Sequence, residues 1–259
     1  MNNLLKNTLS KKPYPIALSA GFFGFFAHLG FIEALKHEGI EVNMISGSSA
    51  GALAGAIIGS GLKTEDALKI LTSIPIKDIW DPGLGFGYLK WAKFEKMLAD
   101  TLHPKLETLD IKIAVSVFEL KSFKTKIFRE GPTAPIIRAS CTPPFLVHPA
   151  KIFGKRYFDG GIFDKPGVQG IDSNTPFISH FLMSHLADRK WEFSKTLKNL
   201  RPNQLMISFP DLIEIKPKNI SDGYKAFYKC YENTLAILNT DLESLKDSKS
   251  FFGDLTKFN

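Results

Sequence analysis

Cysteine is nearly absent. Only Cys141 and Cys230 occur, far apart, and neither belongs to a C-x-x-C pair or lies near a histidine at metal spacing. That excludes a disulfide framework and leaves two reduced core thiols as the expectation. Long hydrophobic runs are missing as well: the longest, around Ala17–Phe26 and Ala50–Ile58, are interrupted by glycine and fall well short of the ~20 residues that cross a bilayer. Met1–Pro15 carries Lys6, Lys11 and Lys12 but no apolar stretch of the secretory kind, so Sec-type export is not expected. The basic residues are not organised by any zinc, helix-turn-helix or RNA-binding signature, and no cluster has metal-ligand spacing. The expected protein is cytoplasmic or peripheral to a membrane, with no metal, no cofactor and no nucleic-acid partner.

The formal net charge is +7, which favours contact with anionic surfaces. Lys93, Lys96, Lys121, Lys124, Lys126, Lys195, Lys198, Lys216 and Lys218 are scattered through the chain, as on a generally solvated basic surface. The 259 residues, 44% hydrophobic and 23% charged, suit one large α/β domain. No repeat, low-complexity tract or linker divides them. The expected organisation is an N-terminal extension over 1–14 and a single domain over 15–259.

Periodicity supports alternating strands and helices. A short apolar run, Ile16–Ser19, precedes a glycine-bearing turn and a helical pattern over Phe25–His37, with Gly39 as its stop. Val42–Ile45 reads as a buried strand, and the helix after it closes at Gly59 and Gly61. Helices are expected over Thr64–Thr72, Lys93–Leu102 and Tyr224–Leu245. Strands are expected over Lys112–Glu119, Lys124–Phe128, Thr175–Met183 and Leu205–Phe209, with a hairpin over Ile152–Phe158 turning at Gly154-Lys155. Ile74–Trp91 reads as irregular. The alternation predicts a mainly parallel sheet covered on both faces, with functional groups at the carboxyl ends of its strands.

Gly47-Ser48-Ser49-Ala50-Gly51 is a G-x-S-x-G between an apolar strand and a helix. The bare motif arises by chance in about one chain in ten of this length, but the strand-turn-helix context is what a nucleophile elbow needs. Ser49 is therefore the candidate nucleophile, with unpaired helix N-terminal amides beneath it suited to an oxyanion. Ser46 and Ser48 do not sit between glycines at this spacing. A serine needs a base within hydrogen-bond reach. His180 and His185 follow Ser49 in the order an α/β-hydrolase triad uses, and Asp159-Gly160-Gly161 stands out at the end of a hairpin.

Leu18–Gly39, Ser46–Gly61 and Arg138–Pro166 (RASCTPPFLVHPAKIFGKRYFDGGIFDKP), with a weaker match over Tyr88–Leu98, follow the motif order of the patatin-like phospholipase family, which the chain resembles from about residue 16 to 166. The resemblance implies a three-layer α/β/α fold and a Ser49–Asp159 dyad in place of a histidine triad. It also implies an oxyanion hole from the amides of Ala20, Gly21 and Phe22 with that of Ala50, and a lipid ester substrate, phospholipid or a related glycerolipid, cleaved through an acyl-enzyme. Two departures are visible. The family's glycine-rich first loop is here Ala20-Gly21-Phe22-Phe23-Gly24-Phe25, with Gly24 in place of the basic residue, and Asp164 stands where asparagine is frequent. The altered loop keeps open a rival, a catalytically silent lipid-binding protein on the same fold. Phe22 and Phe23 are candidates for an acyl pocket, Phe25 and Phe26 for the core, and His28 for a packed helix residue. The net charge and the aromatic residues Trp80, Phe86, Tyr88 and Trp91 point to a reversible membrane contact.

Overall fold

The computed structural model describes residues 4–73, 80–183 and 189–258. The chain begins with α1 (Leu5–Leu9), β1 (Tyr14–Leu18), α2 (Phe25–His37), β2 (Val42–Ser48), α3 (Ala50–Gly59) and α4 (Thr64–Ser73). Then come β3 (Gly87–Leu89), α5 (Ala92–Thr101), β4 (Lys112–Glu119), β5 (Lys124–Phe128), α6 (Thr133–Ser140), β6 (Phe145–Val147), β7 (Ala150–Ile152) and β8 (Lys155–Asp159). β9 (Phe177–His180), α7 (Arg189–Lys198), β10 (Gln204–Ile207), α8 (Gly223–Leu238) and β11 (Phe251–Phe252) complete it.

The central sheet runs β11-β10-β9-β1-β2-β4-β8-β7, with β5 also on β4. Its middle, β10-β9-β1-β2-β4, is parallel, while β11, β5, β8 and β7 join antiparallel at the margins. Every residue of β1 is buried. Ile16 and Leu18 belong to the main core, whereas Ala17 packs with Ile171 and Phe177 in a second cluster. Alternate side chains of one strand thus enter separate apolar layers, as expected of a sheet covered on both faces. The result is a mixed α/β fold with helices flanking a mainly parallel sheet.

β4 and β5 match their expected bounds, as does α2. Elsewhere the fold departs from periodicity. The Ile152–Phe158 hairpin turns at Phe153-Gly154, both at positive φ, one residue before the expected Gly154-Lys155. α8 stops at Leu238, short of the expected Leu245. Short α6, opened by Pro132 at its N-cap, has too few turns to show a period. From Leu5 on, the stretch set apart as an extension packs into the main core through Leu5 and Leu9. Of the irregular segment Ile74–Trp91, residues 74–79 lie outside the described residues, and β3 occupies part of the remainder.

Candidate active site

Strand pairing brings the two ends of the sequence motif together. β5 pairs with β4 over Val115–Glu119, and this overlaps the β4 residues used by both β2 (Lys112–Ser116) and β8 (Val117–Glu119). One edge of a strand holds one partner at a given residue, so β2 and β8 share the other edge of β4, end to end. Ser48 stands opposite Ser116 and Asp159 opposite Val117, adjacent positions on the same strand. Ser49, the next residue after β2, therefore meets Asp159 where the two strands abut.

Ser49 Oγ donates to Asp159 Oδ2 at 2.7 Å. The serine sits at φ 53°, ψ −117°, a strained conformation for a residue with a side chain and the kind that a strand-to-helix elbow imposes. Its N–H donates to Ser140 Oγ at 2.9 Å, and Ser140 Oγ donates in turn to the Ser116 carbonyl at 2.7 Å. Asp159 Oδ1 accepts from the Gly161 N–H at 2.7 Å, and the Asp159 N–H donates to the Thr142 carbonyl at 2.7 Å. Burial raises the Asp159 pKa from 3.8 to about 6, against the lowering effect of the Ser49 and Gly161 hydrogen bonds. A carboxylate so placed is a better proton acceptor than an ordinary one.

Two glycines make the approach possible. A Cβ at Gly51 would stand 2.2 Å from the Leu18 carbonyl oxygen, and one at Gly160 would stand 2.1 Å from that of Ser116. Asp164, beyond the D-G-G, is buried and accepts from Ser116 Oγ, the Val168 N–H and the Gln169 N–H. It ties the loop after Asp159 back to β4. Ser46 Oγ is spent on the Gly167 carbonyl, and the Ser48 side chain is fully buried.

An apolar cavity of about 130 Å³ opens over the pair, bounded by Phe22, Phe23, Phe25, Leu53, Phe94 and Met97 among others. Phe22 and Phe23 thus border it as expected, while Phe25, expected in the core, is both buried and in its wall. Cys141 lines the same cavity, and its Sγ–H donates to the Ser49 carbonyl at 3.4 Å. Burial, and then the charge of Asp159, push the Cys141 pKa well up, so it remains a thiol.

Gly21, Phe22 and Phe23 of loop 20–24 line the same cavity as Ser49. The Ala20 N–H is already committed to the Lys165 carbonyl at 2.7 Å, which removes it from the expected oxyanion set. The amides of Gly21, Phe22 and Ala50 have no protein acceptor among the described residues. A histidine pair holds the base of this loop. His28 Nε2 lies 2.9 Å from the Ser19 carbonyl, which only accepts, so Nε2 carries the proton. Burial lowers the His28 pKa to about 4, so the ring is neutral and Nδ1 is bare. Nδ1 therefore accepts from His180 Nδ1–H at 2.9 Å, leaving His180 Nε2 to face Cys230 Sγ at 3.6 Å. Both nitrogens of His180 are taken in the core, with β1 standing between β9 and the strand that carries the elbow. His185 lies outside the described residues.

Ser140, Ser116 and the Lys165 carbonyl carry no mark in the sequence, because their roles arise from strand and loop apposition. Among the described residues, no group of three or more His, Cys, Asp or Glu is placed to hold a metal ion, and no helix is long and apolar enough to cross a membrane.

The chain is 33% identical over 153 residues to an uncharacterized NTE family protein of Mycobacterium bovis and to another of Mycobacterium tuberculosis. The aligned part is 58% of this chain and 42% of each relative, so the chain matches less than half the length of these proteins. VipD from Legionella pneumophila shares the fold, with a TM-score of 0.58 at 14% identity over 87% of this chain and 67% of VipD. The Patatin-like phospholipase family profile matches residues 16–171, more than half of the chain, and the chain belongs to that family.

Proposed function

We propose that the chain hydrolyses carboxylic ester bonds of glycerolipids, phospholipids foremost, with Ser49 as nucleophile and Asp159 as its base. The observation that carries this reading is the 2.7 Å Ser49 Oγ–Asp159 Oδ2 hydrogen bond at the floor of an apolar cavity. Asp159 takes the hydroxyl proton as Ser49 Oγ adds to the ester carbonyl. The oxyanion is held by the N–H groups of Gly21, Phe22 and Ala50, the last reinforced by the N-terminal end of α3. Collapse returns the proton from Asp159 to the departing alkoxide and leaves the acyl group on Ser49. Water then adds to the acyl-enzyme, giving a proton to Asp159, and the fatty acid leaves as the proton returns to Ser49 Oγ. The charge of each step is handled by backbone amides and one carboxylate, and the substrate is met by reversible contact with a lipid surface.

A fluorophosphonate probe tests the nucleophile. Labelling of the wild-type protein at Ser49, lost in Ser49→Ala, is expected. A folded protein that resists the probe would favour the silent lipid-binding alternative, for which the altered loop and the committed Ala20 amide argue.

A further inference from the structure

Bulky residues at positive φ are disfavoured, and so are aromatic rings left in water. Phe145 bears both penalties, at φ 67° and 89% exposed, and so does Phe153, at φ 48° and 74% exposed. Phe153 and Gly154, both at positive φ, form the two-residue connection between β7 and β8, a position that ordinarily selects Asn-Gly. A fold with no use for these rings would be more stable with asparagine or glycine there.

The rings border one surface. β3 and β6 form a separate two-stranded ribbon, Gly87 opposite Phe145 and Leu89 opposite Val147. Leu89 and Val147 are buried beneath it, while Leu84, Phe86 and Tyr88 stand in solvent. The Arg156 guanidinium lies 5.7 Å from the centre of the Phe86 ring and joins the β7–β8 hairpin to the ribbon. Arg138 donates to the carbonyls of Lys90 and His148 and fixes the ribbon on α6. Trp91, just after β3, and Pro143, just before β6, both line the Ser49 cavity, so the ribbon flanks its wall. Residues 82–94 and 143–158 contain Lys90, Lys93, Lys151, Lys155 and Arg156 but no aspartate or glutamate, and of these cations Lys155 is paired with Glu119 at 3.1 Å.

We propose that this strip docks the protein on an anionic phospholipid surface, its rings entering the headgroup region and its cations meeting the lipid charge. The position beside the cavity gives docking a purpose on the ester-hydrolase reading, and to that extent rests on it. The strip keeps Phe86 and Tyr88 of the aromatic residues expected at a membrane and adds Phe145 and Phe153, so that its rings come from three segments that the fold assembles.

The test separates docking from turnover. The Ser49→Ala protein is sedimented with vesicles of phosphatidylcholine alone or mixed with phosphatidylglycerol, at rising salt. Binding should require the anionic lipid and weaken with salt. On this background Phe145→Gly and Phe153→Asn should each weaken binding about tenfold, the transfer value of one ring. Their melting temperatures should equal or exceed that of the parent, a pairing of effects that loss of structure would not produce. Lys151→Glu should lower binding to mixed vesicles only. With Ser49 intact, the two ring variants should hydrolyse p-nitrophenyl butyrate, a water-soluble ester, as the wild type does. Equal binding to neutral and anionic vesicles, or unchanged binding in both ring variants, overturns the docking surface. Absence of ester hydrolysis with salt-sensitive docking preserved would instead remove the hydrolase reading and leave the surface standing.

Discussion

The elbow and loop 20–24 line the same cavity, and they tolerate change differently. At the elbow and in the D-G-G beside it, a Cβ at Gly51 or Gly160 would meet the backbone of β1 or β4 rather than a side chain that can move aside. In the loop, a Cβ at Gly21 would meet only the side chain of Leu182, and one at Gly24 would meet that side chain first and then the Gly21 carbonyl oxygen at 3.1 Å. An oxyanion hole needs N–H groups, which every residue but proline supplies, whereas the elbow needs the absence of particular atoms. This explains how the loop can be rich in phenylalanine while the elbow keeps its glycines.

The comparison breaks first at Asp159. Asp159→Asn removes the proton acceptor and keeps the shape, so kcat should fall by roughly three orders of magnitude or more. In the wild type, kcat/KM should rise with pH through about 6 as Asp159 ionises. Stability should move the other way. A carboxyl whose folded pKa is raised contributes stability that is full below its unfolded value of 3.8 and lost as pH rises through about 6. The asparagine variant escapes that loss and should be more stable than wild type at pH 8, by on the order of 2 kcal/mol, with the gap closing near pH 4. Denaturant melts at the two pH values check this, and a variant less stable at pH 8 would show that the carboxylate is well solvated after all.

Two alanine substitutions sharpen the contrast. Gly51→Ala drives a methyl into the Leu18 carbonyl in the middle of the sheet and should cost about 3 kcal/mol or more. Gly21→Ala meets Leu182 Cδ1 at 2.7 Å, the end of a flexible side chain, and should cost about 1 kcal/mol or less. Comparable melting temperatures for the two variants would contradict the account of the elbow as the less tolerant side.

Much of this was legible in the sequence. The strand before Gly47 and the helix after Gly51 were readable because apolar periodicity and glycine stops mark them directly. Ser49 and Asp159 could be singled out by motif, and their 2.7 Å separation follows from β2 and β8 abutting on one edge of β4. That abutment is a property of pairing register, which no local pattern encodes. The same reason hides Ser140, and it hides the engagement of the Ala20 amide by Lys165. His28 and His180 lie 152 positions apart, and they meet because β9 pairs beside β1, the strand that leads into α2.

The smallest expected effect is at Phe22, where the loop's bulk meets the substrate. Its ring is 63% exposed, packs edge-on against Phe23 with centroids 4.9 Å apart, and borders the 130 Å³ cavity over Ser49. It also borders a neighbouring cavity of about 370 Å³ that reaches Leu182, Phe209 and Ile215. Phe22→Gly keeps the backbone N–H proposed for the oxyanion and deletes part of the wall between the two spaces. Little burial is lost, so the melting temperature should move only slightly. Preference among acyl chains should move more, because each further methylene admitted to an apolar wall is worth up to about 0.8 kcal/mol, roughly fourfold in kcat/KM. The measurement is kcat/KM along a series of p-nitrophenyl esters from butyrate to palmitate, compared with wild type as ratios. A maximum displaced toward longer chains is the expected result. A uniform drop at every length would instead assign Phe22 to positioning the loop, and would make the phenylalanines of this region as intolerant of change as the glycines of the elbow.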